Sequence, residues 1–129
     1  MKITKDIGLM LYWGEGDKTK NYFIALTNTN PDVLVYFTAW FRKYFDINES
    51  KLKCRLYIWK DLDELKAKEF WSEKLKIPLK QFTKSYISSS IPKIRKRRHE
   101  FGVCRVSYGS KKIMSEIMNG IKTKFTNYY

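Results

Sequence analysis

Apolar residues recur at the 3.6-residue spacing of an amphipathic helix in four stretches of the chain. These predicted helices start near Thr4, Asn30, Asp61 and Ser110. Asn30 is a favourable N-cap and Pro31 a favourable first helical residue, because proline has no N–H group to leave unsatisfied. Asp61 is expected to cap the third helix, with Glu64 forming a capping-box-like pair. The first helix is predicted to end at Gly14.

Alternating apolar residues, the period-two pattern of a half-buried strand, lie between these helices. The clearest alternation is Leu52, Cys54, Leu56 and Ile58. Residues 103–108 form a second clear strand, 22–26 a third and 82–87 a weaker fourth. The predicted order is α-β-α-β-α-β-β-α. We therefore expect one α+β domain over residues 1–129, with a mixed or antiparallel sheet packed by helices on one face.

The alternate positions of these strands, which point away from the predicted core, carry basic and aromatic side chains. They are Lys53, Arg55, Tyr57, Lys84 and Arg105. An ordinary solvated face more often mixes glutamate with lysine, yet no acid lies on these strands. We therefore predict that this face is a platform that contacts the phosphates and bases of a nucleic acid.

The charge balance also indicates a polyanionic partner. The 26 Lys and Arg residues against 13 Asp and Glu give a net charge of +13, and such a field attracts nucleic acid. No acid lies between Lys74 and His99, and the densest basic positions are Lys93, Arg95, Lys96, Arg97 and Arg98. Residues 88–99 are expected to form a long flexible loop that becomes ordered on phosphate. An anionic membrane and an acidic protein are the alternative partners.

Several function classes are disfavoured by what the sequence lacks. No apolar run approaches the ~20 residues that span a bilayer, and charges within residues 1–7 interrupt any signal core. Cys54 and Cys104 have no zinc-ligand spacing and are expected to be buried free thiols. His99 is the only histidine, which excludes a histidine-based triad. We expect a cytoplasmic, nucleoid-associated protein with no membrane partner.

One carboxylate, Glu15, stands between two glycines at the end of the first predicted helix. The glycines Gly14 and Gly16 are expected to let the backbone turn sharply. An acid at the negative end of a helix dipole is unfavourably placed, and a divalent cation would compensate because hard cations bind carboxylate oxygens. The alternative is a solvent-exposed glutamate that needs no metal.

This stretch resembles the signature helix of the LAGLIDADG homing endonucleases, which ends in a small residue, an acid and a glycine. Gly14-Glu15-Gly16 matches that ending, and Asp17-Lys18-Thr19 leads towards a strand as the family does. The resemblance extends to Leu26 to Asp32, to Phe70-Trp71-Ser72 and to residues 81–84, and so covers nearly the whole chain. The chain departs from the family in having one clear strand before the second helix where the family usually has two.

The resemblance implies a saddle in which two signature helices pack at a two-fold axis and each sheet lies in the DNA major groove. A chain with one signature helix would be a homodimer on double-stranded DNA. We expect Gly8, Tyr12 and Gly14 at that dimer interface.

The resemblance further implies a metal-dependent DNA endonuclease in which Glu15 and Glu15 of the partner subunit share Mg²⁺ or Mn²⁺. We expect Lys84 or Arg105 to stabilise the charged transition state. The alternative on the same scaffold is a catalytically silent DNA-binding or regulatory protein, or an RNA-splicing helper. An RNA-binding protein with an unrelated α+β fold is a third possibility.

Overall fold

The structure, a computed structural model, describes residues 1–89 and 100–125. Its regular elements are α1 (Lys5–Glu15), β1 (Phe23–Asn28), α2 (Pro31–Tyr44), β2 (Lys53–Trp59), α3 (Glu64–Leu75), β3 (Tyr86–Ser88), β4 (Val103–Gly109) and α4 (Lys111–Phe125). Short 3₁₀ turns at Glu49–Lys51 and Leu79–Gln81 precede β2 and β3. The predicted α-β-α-β-α-β-β-α order is confirmed.

Polar side chains cap the starts of the helices by accepting hydrogen bonds from backbone amides that lack a partner within the helix. These caps are Thr4, Asn30, Asp63 and Ser110. The expected cap at Asp61 was wrong, because the Leu62 amide bonds to the Trp59 carbonyl and closes a turn there first. The Asp63 carboxylate, not that of Asp61, then reaches the Lys66 amide at 3.1 Å.

The sheet is mixed, with strand order β1-β4-β2-β3. β4 pairs antiparallel with both β1 and β2, whereas β3 runs parallel to β2. The parallel pair requires a crossover connection, which α3 provides. β3 is shorter than the predicted strand because its pairing with β2 is interrupted. Cys54 and Tyr57 of β2 are three positions apart in the chain, whereas their partners Phe82 and Tyr86 are four positions apart. The extra residue on the β3 side breaks the ladder of hydrogen bonds before Tyr86.

One face of the sheet is buried in a single core that includes residues of all four helices. The buried strand residues on this face are Ile24, Leu26, Cys54, Leu56, Ile58, Cys104, Val106 and Tyr108, and Ala25 is buried on the other face. In α2 the buried apolar side chains are Leu34, Phe37, Trp40 and Phe41, and Trp40 is one of the largest fully buried side chains of the protein. On the opposite face Lys53 and Arg55 are exposed. The chain is thus an α+β protein with a four-stranded mixed sheet, as expected at this level.

Cys54 and Cys104 are buried free cysteines, as predicted. A hydrogen bond with Cys54, together with burial, raises the pKa of the Cys104 thiol well above its ordinary value. No helix within the described ranges is both long and apolar enough to cross a membrane.

Candidate nucleic-acid interface

Two arginines meet on the open face of the sheet, the face turned away from the core. The register of β2 and β4 places Arg55 directly opposite Arg105, and Arg105 opposite Thr27 of β1. Residues that face each other across antiparallel strands have Cβ atoms about 5 Å apart, and like charges in such a pair repel. Asp17 forms an ion pair with Arg105 and offsets part of that repulsion, and an anion bound beside Arg55 would offset the rest.

Arg105 is held in place by two groups around it. Its guanidinium forms an ion pair with Asp17 at 3.2 Å and lies 5.6 Å from the centroid of the Phe23 ring. The Asp17 amide in turn donates to the Ala25 carbonyl at 2.8 Å, which fixes this acid beside β1. Arg105 therefore offers a charge whose position is largely set before any ligand binds.

Asp17 is a residue that sequence reasoning did not place in the site. The hydroxyl and the backbone amide of Thr19 both donate to its Oδ1, at 2.7 and 2.9 Å. These hydrogen bonds, followed by that from Arg105, lower the pKa of Asp17 below its ordinary value. The Asp-x-Thr spacing is the usual signal for such a side-chain turn, and it could have indicated an anchored carboxylate.

An aromatic pair continues the open face towards the sheet edge. The Arg55 guanidinium lies 5.6 Å from the centroid of the Tyr57 ring. Tyr57 pairs in register with Tyr86 of β3, and their ring centroids are 6.0 Å apart. Tyr86 was not predicted, although its period-two spacing from Lys84 could have placed it. Lys84 itself is exposed just before β3.

A basic groove of about 700 Å³ lies near the other edge of the sheet, between the loop before β1 and the start of α4. Its charged lining residues are Lys18, Lys20 and Lys111. No acidic residue lines it, so the groove adds to the positive potential of the chain.

Glu15 is the last residue of α1 and is exposed. Within the described residues it forms no ion pair, and no group of three or more His, Cys, Asp or Glu side chains is present there. The carboxylate of Asp17, close to it in the sequence, already binds Arg105 and Thr19. Because Mg²⁺ is usually bound by one or two carboxylates together with waters and substrate phosphates, Glu15 of one chain is at most part of a site.

The expected dimer-interface residues have different surroundings. A Cβ on Gly8 would lie 2.1 Å from the Trp40 ring, so the missing side chain makes room for α2 of the same chain. Tyr12 is fully buried, and its hydroxyl donates to the Asp17 carbonyl and accepts from the Ala25 amide. The expectation for Gly8 and Tyr12 was therefore wrong, because both are used in core packing. A Cβ on Gly14 would meet nothing within 4 Å.

The expected sharp turn after Glu15 was also wrong. Gly16 has φ −76°, a value that any residue adopts. A Cβ there would lie 2.5 Å from the Tyr12 ring, so this glycine is explained by close packing.

Part of the predicted interface lies outside the described residues, namely Lys93, Arg95, Lys96, Arg97 and Arg98. Of the other predicted residues, the structure brings Arg55, Tyr57 and Arg105 together, with Lys53 on the same face and Lys84 beside β3. Comparisons of the chain with models of protein families, with characterised proteins and with solved structures found no match.

Proposed function

We propose that this protein binds double-stranded DNA through the open face of its sheet. The observation that carries the proposal is the Arg55–Arg105 pair, two like charges placed opposite each other on neighbouring strands. Each guanidinium has several donors in a planar fork that matches a phosphate, and both lie against an aromatic ring. Asp17 pairs with one nitrogen of Arg105, and a phosphate beside the two arginines would accept charge-assisted hydrogen bonds from Arg55 and from the remaining donors of Arg105.

The surroundings of the pair favour a polymer over a small anion. Lys53 is on the same face of β2, and the basic groove defined by Lys18, Lys20 and Lys111 lies near the other sheet edge. Positive charge spread over the molecule suits a ligand with evenly repeated phosphates. Proteins with β-sheets can place strands in a groove of DNA, and β2 and β4, the two central strands of this sheet, carry both arginines.

The salt dependence of DNA affinity tests this proposal. Each phosphate contact contributes about −0.9 to the slope of log affinity against log salt concentration. Replacing Lys53, Arg55 and Arg105 together by glutamine is expected to flatten the slope by roughly 2 to 3 units. The matched control replaces three exposed lysines on helices and turns elsewhere, Lys66, Lys80 and Lys112.

Equal loss of slope in the two triple variants would show that charge anywhere on the surface is sufficient, and the open face would not be the binding site. Fluorescence anisotropy of a labelled random duplex between about 50 and 200 mM salt gives the required slopes.

A second candidate function is DNA cleavage by a homodimer with the LAGLIDADG-like saddle. The exposed Glu15, at the end of α1 and without an ion pair among the described residues, favours it. Two Glu15 carboxylates close together at a two-fold axis would hold Mg²⁺ or Mn²⁺, which would supply Lewis acidity for phosphodiester hydrolysis. Arg105, fixed by Asp17, and the exposed Lys84 are the cations that would stand near the phosphate.

Cleavage of a randomised duplex library with Mg²⁺ or Mn²⁺ tests this second candidate. Glu15→Gln is expected to lower the cleavage rate by at least ~100-fold while DNA affinity stays level or rises, since a negative charge near phosphate is lost. Glu73→Gln, at an exposed position of α3, is the control. Equal cleavage by the wild type and Glu15→Gln would contradict the role of Glu15. If no duplex is cut with either metal, the catalytically silent binder is the better description.

A further inference from the structure

A small cleft lies beside the aromatic pair, where β3 forms one edge of the sheet. It has a volume of about 180 Å³ and is lined by Tyr57, Ile58, Trp59, Tyr86, Ser88 and Val103. Tyr86 is 56% exposed although it lies in a strand. Exposing a large aromatic side chain forgoes the free energy of burying it, so the exposure indicates a surface that is available to a partner.

The two tyrosine rings do not stack closely on each other. Their planes meet at 42° and their centroids are 6.0 Å apart, so the pair forms a wedge. Stacked bases in DNA repeat about every 3.4 Å, so two rings on either side of a base stand roughly 7 Å apart. To hold a base between them, the rings would have to separate by about 1 Å and also turn from 42° towards parallel, a change that the exposed side chain of Tyr86 has room to make.

We propose that this cleft, the Tyr57–Tyr86 wedge, holds one unpaired base of the DNA that lies on the open face. This inference rests on the proposed DNA binding and names a structural feature of its substrate: a duplex with an extrahelical base. Arg55 links the two, because its guanidinium lies 5.6 Å from the centroid of the Tyr57 ring and Arg55 is directly opposite Arg105. A DNA strand with a phosphate bound by the arginines would therefore have its bases within reach of the wedge.

The chemistry of the wedge favours a base over an apolar peptide. Every base has a π-face, and stacking on aromatic side chains tolerates any sequence. None of the lining residues is acidic, and the nearest strand cation is Arg55, since Arg105 opposite it is paired with Asp17. A hydrophobic peptide would gain nothing from this charge, whereas a nucleotide carries its own phosphate to it.

Three duplexes of one sequence test the inference. The first is perfectly paired, the second has a one-nucleotide bulge, and the third has the same bulge with an abasic nucleotide, which keeps the flexible backbone but removes the base. The base-containing bulge is expected to bind roughly 5- to 150-fold more tightly than the abasic bulge. With 2-aminopurine at the bulge, the fluorescence of the probe is expected to fall on binding because the base stacks on tyrosine.

Variants of the wedge give the matched controls. Tyr57→Leu and Tyr86→Leu keep apolar bulk but remove the π-face, and they are expected to abolish the preference for the base-containing bulge. Tyr86→Phe keeps the ring and is expected to keep the preference. Affinity for the perfect duplex, which depends on the arginines, is expected to stay unchanged in Tyr86→Leu and Tyr86→Phe. Tyr57→Leu also removes the ring beside Arg55 and is expected to weaken the binding of all three duplexes, so its effect is measured as the ratio of affinities for the base-containing and abasic bulges.

The outcomes separate this inference from the DNA-binding proposal. Tight, salt-dependent binding of the perfect duplex with no preference among the three DNAs would overturn the wedge and leave the proposed function intact. Equal binding of the base-containing and abasic bulges would also overturn it, because flexibility alone would then explain the preference. Failure to bind any of the three duplexes would overturn both.

Discussion

Gly8 and Gly14 lie in the same helix but in opposite surroundings. A Cβ on Gly8 would lie 2.1 Å from the Trp40 ring, whereas one on Gly14 would meet nothing within 4 Å. We predict that Gly8→Ala lowers the free energy of unfolding by roughly 1–3 kcal/mol because the core must shift. Gly14→Ala is expected to leave it level or to raise it by up to ~1 kcal/mol, since alanine restricts the unfolded chain.

Urea denaturation of the two variants beside the wild type measures both effects. An equal effect of the two substitutions would contradict the packing described for α1. The sequence alone could not distinguish these glycines, because the space beside a glycine depends on which residue of another element fills it. Trp40 fills it at Gly8, and the helical period does not reveal which ring meets which turn.

Tyr12 makes the stability of the fold vary with pH in the alkaline range. Burial, more than any other cause, raises its pKa to about 12, compared with 10.0 for an ordinary tyrosine. The unfolded chain therefore loses this proton first as the pH rises. The contribution of Tyr12 to the free energy of unfolding is therefore fully present below pH 10, falls between about pH 10 and 12, and is lost above pH 12. A difference of two pKa units corresponds to about 2–3 kcal/mol.

Tyr12→Phe is the control, because phenylalanine fills the same space and cannot ionise. Near neutral pH the variant is expected to be less stable by about 1–2 kcal/mol, since the hydroxyl bonds to Asp17 and Ala25 are lost. We predict that this difference shrinks as the pH rises from about 10 to about 12. Chemical denaturation at several pH values measures it, and a constant difference would show that Tyr12 ionises equally easily in both states.

Arg42 is the side chain that ties the end of α2 to two neighbouring segments. Its guanidinium contacts the Glu49 carboxylate at 3.0–3.1 Å and the carbonyls of Leu75 and Lys76 at 2.8 and 3.0 Å. These two carbonyls lie at the end of α3, where the last carbonyl groups have no hydrogen-bond donor within the helix. Lysine has no planar fork and cannot satisfy all of these acceptors together.

We predict that Arg42→Lys lowers the free energy of unfolding by roughly 1–3 kcal/mol. Glu49→Gln removes only the ion pair, whose glutamate side chain is 57% exposed, and is expected to cost less than ~1 kcal/mol. Thermal and urea unfolding compare the two variants. A loss as large for Glu49→Gln as for Arg42→Lys would show that the surface ion pair, and not the contacts with α3, supports this junction.

The order of the elements could be predicted because it depends on local signals. The apolar periods of α2 and α4 and the alternation in β2 and β4 each arise within one segment. The cap of α3 and the length of β3 could not be predicted, since both depend on turns closed by other residues. The Trp59–Leu62 turn moved the cap to Asp63, and the extra residue before Tyr86 interrupted the pairing with β2.

The candidate site, like the fold, could be predicted from the sequence only in part. Period-two reasoning put Arg55 and Arg105 on one face, because alternate residues of a strand point the same way. It could not show that they are directly opposite each other, since register arises from pairing between distant segments. The partners of Arg105 were missed for that reason: Asp17 reaches it only after the loop that follows α1 folds against β1.

At the scale of the whole molecule, a dimer formed through α1 would have to use a different face of that helix from the one expected. Gly8 and Tyr12 are turned into the core. The most open stripe of α1 contains the exposed Ile7 and Gly14 at the i and i+7 positions, with Leu11 between them half-buried against the core. Ile7 is 53% exposed, an unusual position for an isoleucine. A two-fold axis that runs parallel to α1 beside this stripe would bury Ile7 and bring both Glu15 residues to the same end.

We predict that Ile7→Glu raises the dimer dissociation constant at least ~10-fold, because a two-fold axis would bury the new charge on both sides of the contact. Leu65→Glu, at a 60% exposed position of α3, is the matched control and is expected to have no effect on self-association. Sedimentation velocity with and without duplex DNA measures both variants. A wild-type chain that stays monomeric at high concentration, with and without DNA, would remove the dimer and the shared Glu15 site. It would leave the arginine pair of the open sheet face, which lies within one chain, as the sufficient DNA contact.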